Sequence, residues 1–210
     1  MKGKKDDRLR KVDFLPLVEE FYSIQGEGFH AGKPAYFIRL GGCDIGCKWC
    51  DSKFAWDSEL HEKVETDLII DHAKLSGTDS VVVTGGEPLM WNLDYLCKGL
   101  KEAGMMTFLE TSGAYKLSGK WDWICLSPKK NMPPGEEICL IADELKIIVE
   151  DSSDFVWAEK YRKKVNKASH LFLQPEWSKY ETIAPQIVEY VKNNRCWRIS
   201  LQIHKFLHIP

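Results

Sequence analysis

Apolar and polar positions along the chain fall into two periods, and the switches between them outline the secondary structure. Short runs rich in β-branched and aromatic residues, bounded by glycine or polar clusters, read as strands over 15–22, 35–40, 80–84, 106–110, 123–126, 145–149, 170–174 and 197–204. Thr66 is positioned as the N-cap of a helix reaching about Leu75. Leu93, Leu96, Cys97 and Leu100 recur at i, i+3, i+4 and i+7, which predicts an amphipathic helix closed by Gly104, with Cys97 on its apolar stripe. A further helix is expected over 153–167, and Ala184, Ile187, Val188 and Val191 mark the last one. Strands alternate with helices but outnumber them, so the pattern predicts an α/β fold whose parallel sheet curves into a barrel, some crossovers being reduced to loops. After a charged tail at residues 1–12, one domain is expected over 13–210.

The strand ends carry the candidate chemistry. The strand at 35–40 runs into Gly41-Gly42-Cys43-Asp44-Ile45-Gly46-Cys47-Lys48-Trp49-Cys50-Asp51, a C-x3-C-x2-C triplet with flanking glycines that let the loop turn its thiolates inward. A structural zinc site needs four closed N or S ligands, and this loop offers three, with no second pair elsewhere. Three thiolates on a four-iron cluster leave one iron open, as a site acting on a bound molecule requires. Thr84-Gly85-Gly86-Glu87-Pro88 follows the next strand, Glu110-Thr111-Ser112-Gly113 the one after, then Ser127-Pro128-Lys129 and Gln174-Pro175. Each segment alone is an ordinary polar turn; their recurrence at successive strand ends points to one rim.

Bulk properties remove several classes of function. A formal charge of -2 gives no broad basic face for nucleic acid. Neither a secretory signal nor an apolar run of membrane-spanning length is present, which predicts a cytoplasmic protein. The odd count of 7 cysteines, three of them clustered, suits metal-binding thiols in a reducing compartment better than a disulfide framework.

The cysteine triplet with Trp49 before its last member, followed by the Gly-Gly-Glu-Pro segment, resembles the radical S-adenosylmethionine superfamily. Gln25-Gly26-Glu27-Gly28, Arg39, Cys50-Asp51-Ser52 and the terminal 204–210 stretch resemble, within it, the 7-carboxy-7-deazaguanine synthase family, from about Leu17 to Pro210. The resemblance implies an incomplete β/α barrel, a 4Fe-4S cluster on Cys43, Cys47 and Cys50, and Mg2+ on Ser52. It implies S-adenosylmethionine contacts from Trp49, Asp51, Gly85, Gly86, Glu87, Ser112, Ser127, Lys129 and Gln174. Substrate contacts are implied for Ile24, Gln25, Gly26, Glu27, Arg39, Thr84, His204 and Pro210, the last through a terminal carboxylate on a closing strand. The implied reaction contracts 6-carboxytetrahydropterin to 7-carboxy-7-deazaguanine with loss of ammonia, on the route to queuosine. A flavodoxin or ferredoxin reductant and a homodimer are implied as well. The residue chemistry agrees: Arg39 is a planar fork suited to a carboxylate, Gln25 and Glu27 offer the mixed donors and acceptors of a pterin edge, and Mg2+ takes hard oxygen ligands such as Ser52. Two other readings remain open at this level: an activase of glycyl-radical enzymes, and a non-catalytic iron-sulfur or zinc protein.

Overall fold

The computed structural model describes residues 13–210; the tail at 1–12 lies outside the described residues. Its elements are β1 (Phe14–Ile24), β2 (Pro34–Leu40), β3 (Glu62–Glu65), α1 (Thr66–Leu75), β4 (Ser80–Gly85), α2 (Asp94–Glu102), β5 (Met106–Thr111), β6 (Trp123–Leu126), α3 (Glu136–Ile141), β7 (Glu144–Val149), α4 (Ser153–Arg162), β8 (His170–Pro175), α5 (Tyr180–Asn193), β9 (Trp197–Ile199) and α6 (Ile203–Leu207). The strands form one sheet in the order β3-β1-β2-β4-β5-β6-β7-β8-β9. Every neighbouring pair from β2 to β9 is parallel, while β1 runs antiparallel to both β2 and β3. The two ends of this order do not pair, so the sheet stays open.

The two-residue period of the strands sorts side chains between a helix-facing layer and the concave face. Leu40, Val83, Leu109, Ile147 and Leu173 belong to the main core, packed with Ile69, Leu96 and Leu100 from α1 and α2. Burying each of these leucines stabilises the fold by roughly 2 kcal/mol. The residues between them, Arg39, Thr84, Glu110, Lys146 and Gln174, fall on the opposite face, and all five line one cleft. Below them Ala35, Phe37, Val82 and Phe108 make a smaller apolar cluster inside the sheet's curve.

The β1–β2 connection closes the bottom of that curve. Phe29 stacks on Trp123 at 4.9 Å and on His170 at 4.2 Å, and both partners begin their strands; His30 packs against Phe108 at 4.7 Å between ring centroids. The loop is pinned where Gly28 N–H donates to Ser200 Oγ and Phe29 N–H to Glu144 Oε2.

Several expectations need correction. The closing strand stops at Ile199; the residues beyond it form α6, which ends at His208 in a left-handed conformation with φ of 54°. The strand pattern failed there because 203–207 pairs with no strand: Lys205 bonds to Asp51 of the cysteine loop, Phe206 packs on Trp177 and Tyr180, and His204 lies over Gly26. The helix expected over 153–167 ends at Arg162, and β3 and α3 had no clear periodic signal. The N-cap of α1 is Glu65, one residue early; Thr66 is buried, its hydroxyl without a partner. The barrel's parallel character holds only from β2 onward, since β1 must return antiparallel through the bottom loop.

Candidate active site

The loop after β2 is stitched to its surroundings by backbone. Gly42 N–H donates to Ala55 O, Cys43 N–H to Trp56 O, and Cys50 N–H to Cys47 O at 3.1 Å. From the other side, Gly86 N–H donates to Leu40 O and Glu87 N–H to Gly42 O at 2.8 Å, so the Gly-Gly-Glu turn and the cysteine loop form one body. A Cβ on Gly86 would lie 2.3 Å from Gly42 O and 2.8 Å from Cys43 Cβ, so glycine is demanded here by contact. Gly46 is demanded by conformation, with φ of +69° and open space around it.

All seven cysteines are free thiols, and Cys43, Cys47 and Cys50 are half-buried. Burial pushes the Cys43 and Cys47 thiols up, against Lys129 in the case of Cys47, and each feels the neighbouring cysteine charges. No three His, Cys, Asp or Glu side chains among the described residues converge on one ion-sized point. Cys43, Cys47 and Cys50 line one cleft, and their all-sulfur donor set fits a four-iron cluster that keeps one iron open.

Glu87 is buried at 1% exposure and fully engaged: Thr111 Oγ1, Ser112 Oγ and Ser112 N–H donate to it, as does Leu89 N–H at 3.0 Å. Its carboxylate ties the end of β4 to the end of β5 while it lines the cleft. Ser127 Oγ accepts from Lys129 Nζ at 2.6 Å, and that ammonium lies 5.2 Å from the centre of the Trp49 ring. Burial lowers the Lys129 pKa, partly countered by Cys47. Gln174 Oε1 accepts from Ser200 Oγ, leaving its amide N–H groups for the cleft.

On the opposite wall, Arg39 Nε donates to Glu19 Oε1 at 2.7 Å, and its Nη1 reaches Ser52 Oγ at 3.5 Å. The guanidinium is thus paired through one edge, with the other turned to the cleft. Asp51 accepts from Ser52, Gln202 and Lys205, the last at 2.6 Å, and these bonds outweigh burial to hold its carboxyl below the usual range. Through Lys205, α6 is fastened to the cysteine loop. His204 packs over Gly26, where a Cβ would meet its ring. Ser23 Oγ donates to Pro210 O.

At the floor, Glu27 Oε1 accepts from Gln202 and its Oε2 from Lys146 Nζ at 2.5 Å, while Gln25 Nε2 donates to Glu110 Oε1 at 2.9 Å. Burial would raise the Glu27 pKa, but Lys146 and Gln202 lower it on balance.

All of the residues singled out in the sequence, from Ile24 to Pro210, line a single cleft of about 450 Å³. The structure adds Glu110, Lys146, Gln202 and Lys205 to that wall. Lys146 had a visible signal: a lysine alternating with Leu145, Ile147 and Val149 in an apolar strand faces away from the helices. Gln202 had none, because the pattern there was read as strand; Lys205 lay in the terminal 204–210 stretch that carried the resemblance, with no role assigned to it.

The Radical SAM superfamily profile matches residues 37–124. The chain is 54% identical over 202 residues to the 7-carboxy-7-deazaguanine synthase of Flavobacterium psychrophilum, covering 96% of each. It is 45% identical to the protein of that name from Synechocystis sp., covering 92% of this chain and 93% of the other. The crystal structure of QueE from Escherichia coli superposes with a TM-score of 0.82 at 29% identity, covering 91% of this chain and 95% of that one. No helix among the described residues is long and apolar enough to cross a membrane. With a thiol triplet, a glycine turn locked beneath it and relatives aligned over nearly their whole length, the chain belongs to the 7-carboxy-7-deazaguanine synthase family of radical S-adenosylmethionine enzymes.

Proposed function

We propose that this protein converts 6-carboxy-5,6,7,8-tetrahydropterin to 7-carboxy-7-deazaguanine with loss of ammonia, a step towards queuosine. The observation that carries the reading is that the cysteine triplet, the Gly85-Gly86 turn, Arg39, Ser52 and the Gln25-Gly26-Glu27 segment all face one cleft. When bound on Cys43, Cys47 and Cys50, the cluster with S-adenosylmethionine supplies a hydrogen-abstracting carbon radical.

The rest is done by the chain's own groups. Gly85 and Gly86 permit close approach of the cofactor, and Trp49, Asp51, Glu87, Ser112, Ser127, Lys129 and Gln174 frame it. Arg39 binds the pterin carboxylate with its free edge, since Glu19 already fixes its direction. Ser52 supplies one hard oxygen to Mg2+, which keeps waters and takes substrate oxygens for the rest. Gln25 and Glu27 read the pterin edge, while Ile24, Gly26, Thr84, His204 and Pro210 close the walls around the ring and keep water off the reacting carbon. A low-potential flavodoxin or ferredoxin delivers the electron in the cytoplasm, and the working unit is a homodimer.

The test is anaerobic reconstitution of the cluster, then addition of S-adenosylmethionine, dithionite, Mg2+ and the pterin, followed by mass spectrometry. Conversion with release of ammonia, abolished in Cys47→Ala, is the expected result. Cofactor cleavage without any pterin turnover refutes the substrate assignment. Ser52→Ala should raise the Mg2+ concentration needed for half-maximal rate at least several-fold; an unchanged Mg2+ dependence removes Ser52 from the metal.

A further inference from the structure

The crown of the cysteine loop lacks the backbone ties that hold its two ends. Among the described residues, no backbone N–H or C=O of Asp44, Ile45 or Gly46 bonds to other backbone. Side chains take over that work. Ile45 is buried, at 4% exposure, and Tyr115 Oη donates to Asp44 Oδ2 at 2.6 Å. Asn131 Nδ2 donates to Ile45 O and to Gly46 O, both at 3.1 Å. A primary amide carries two N–H donors, so Asn131 spends both on successive carbonyls of one loop. It is not among the residues of the cleft wall, and it therefore meets the loop and not a ligand.

The second of those carbonyls leads to a sulfur. Gly46 C=O and Cys47 N–H are the two ends of one peptide group, and the Cys47 N–H bonds to that residue's own sulfur. A donor on Gly46 O polarises this peptide, because hydrogen bonds in a chain strengthen one another by about 10–30% each. Hydrogen bonds to the ligating sulfurs are among the terms that set the reduction potential of an iron-sulfur cluster, since they favour the state with more negative charge. Tyr115 holds the same loop by another means. Its partner is a side-chain oxygen, so it polarises no peptide that faces a sulfur.

We propose that Asn131 is a positioning residue of the cysteine loop which, through the Gly46–Cys47 peptide, raises the potential at which the cluster accepts its electron. The inference concerns the cluster alone and is independent of which substrate the cleft takes. Strengthening a bond to a charged group by that fraction shifts an equilibrium by up to about fivefold. Loss of the Asn131 donors should therefore lower the reduced-to-oxidised ratio at a fixed potential by about two- to fivefold. For one electron this is about 20–40 mV towards more negative potential, at 59 mV per tenfold.

The experiment is anaerobic redox titration of the reconstituted protein, followed by the electron paramagnetic resonance of the reduced cluster, beside the rate of iron loss to a chelator. Asn131→Leu removes both donors at nearly constant shape, and its midpoint should move by the amount given. Tyr115→Phe should lose iron faster than the unaltered protein while its midpoint stays in place. A midpoint in Asn131→Leu equal to that of the unaltered protein overturns the proposal. So does a shift in Tyr115→Phe as large as that in Asn131→Leu, because general loosening of the loop then accounts for both. Should Asn131→Leu shed its cluster before titration, Asn131→Gln, whose longer stem displaces the donors, is titrated in its place and judged by the same outcomes. Absence of pterin turnover bears on the function proposed above and leaves these midpoints to be read as they stand. Failure of the unaltered protein to take up a cluster overturns this assignment together with the cluster site.

Discussion

Substituting alanine for Gly86 separates the packing of the cluster loop from its chemistry. The new Cβ would sit 2.3 Å from Gly42 O and 2.8 Å from both Gly42 C and Cys43 Cβ. Ordinary contacts to carbon lie near 3.5 Å, so the deficit exceeds about 1 Å against backbone, which no side-chain rotation relieves. The turn must lift away, and the bond from Glu87 N–H to Gly42 O, 2.8 Å long, stretches with it. Overpacking of this kind costs about 1–3 kcal/mol, and at this chain length each kcal/mol lowers the melting temperature by about 2–4 °C. The loss of function should exceed that, since displacement of a reacting group by about 1 Å costs on the order of a hundredfold in rate. The control is Gly104→Ala: Gly104 has φ of +81° and open space around it, so it carries backbone strain alone. Iron content, cluster absorbance and S-adenosylmethionine affinity would be measured beside thermal melts of both variants. Gly86→Ala should melt lower and bind cofactor poorly, while Gly104→Ala only melts lower. If Gly86→Ala holds iron and S-adenosylmethionine as well as the unaltered protein does, the turn does not brace the loop.

Other consequences follow from the same geometry. Glu87→Gln places an amide N–H2 where Thr111, Ser112 and Leu89 donate; an unmatched buried group costs about 1–3 kcal/mol, so melting should fall by roughly 2–12 °C, and an unshifted melt would refute the latch between β4 and β5. Glu27 is held below the usual carboxylate range, so its contribution to stability is complete above the unfolded carboxyl pKa of about 4.3 and is lost as pH falls through the folded value. Melts between about pH 7 and 3 should therefore decline more steeply in the unaltered protein than in Glu27→Gln, and parallel curves would contradict the assignment. Lys205→Met unfastens α6 from Asp51. As Asp51 is half exposed, stability should change by less than about 1 kcal/mol while substrate KM rises; an unchanged KM would show that the fastening does not shape the cleft.

How legible the molecule was depended on whether a residue's surroundings were local. The strands from β4 to β8 showed in the sequence because a parallel strand buried on both faces is a short continuous apolar run. The cysteine loop and the Gly85-Gly86 turn showed because spacing and glycine content are local properties. Lys146 was passed over although its alternation with Leu145 and Ile147 was on view, because one lysine in an apolar strand says nothing of its partners until Glu27 and Glu110 come together from 119 and 36 residues away. The 203–207 segment was misread as strand: five residues of mixed character fit either period, and what decides is a tertiary bond, from Lys205 to Asp51 in a loop 154 residues earlier. Glu87 illustrates a different limit. Its place in a motif marked it as a cofactor contact, and nothing local showed that Thr111, Ser112 and Leu89 also use it as a tie.

The ring stack of Phe29, Trp123 and His170 fills the bottom of the curved sheet, so the cleft is cup-like and opens towards the C-terminal ends of the parallel strands. A cup has one mouth, so whatever enters last must leave first. On the function proposed above, the cofactor against the glycine turn and the pterin towards the floor would share that opening with both products. Traffic through it sets a queue, and the short helix fastened beside the mouth by Lys205 stands where the queue forms.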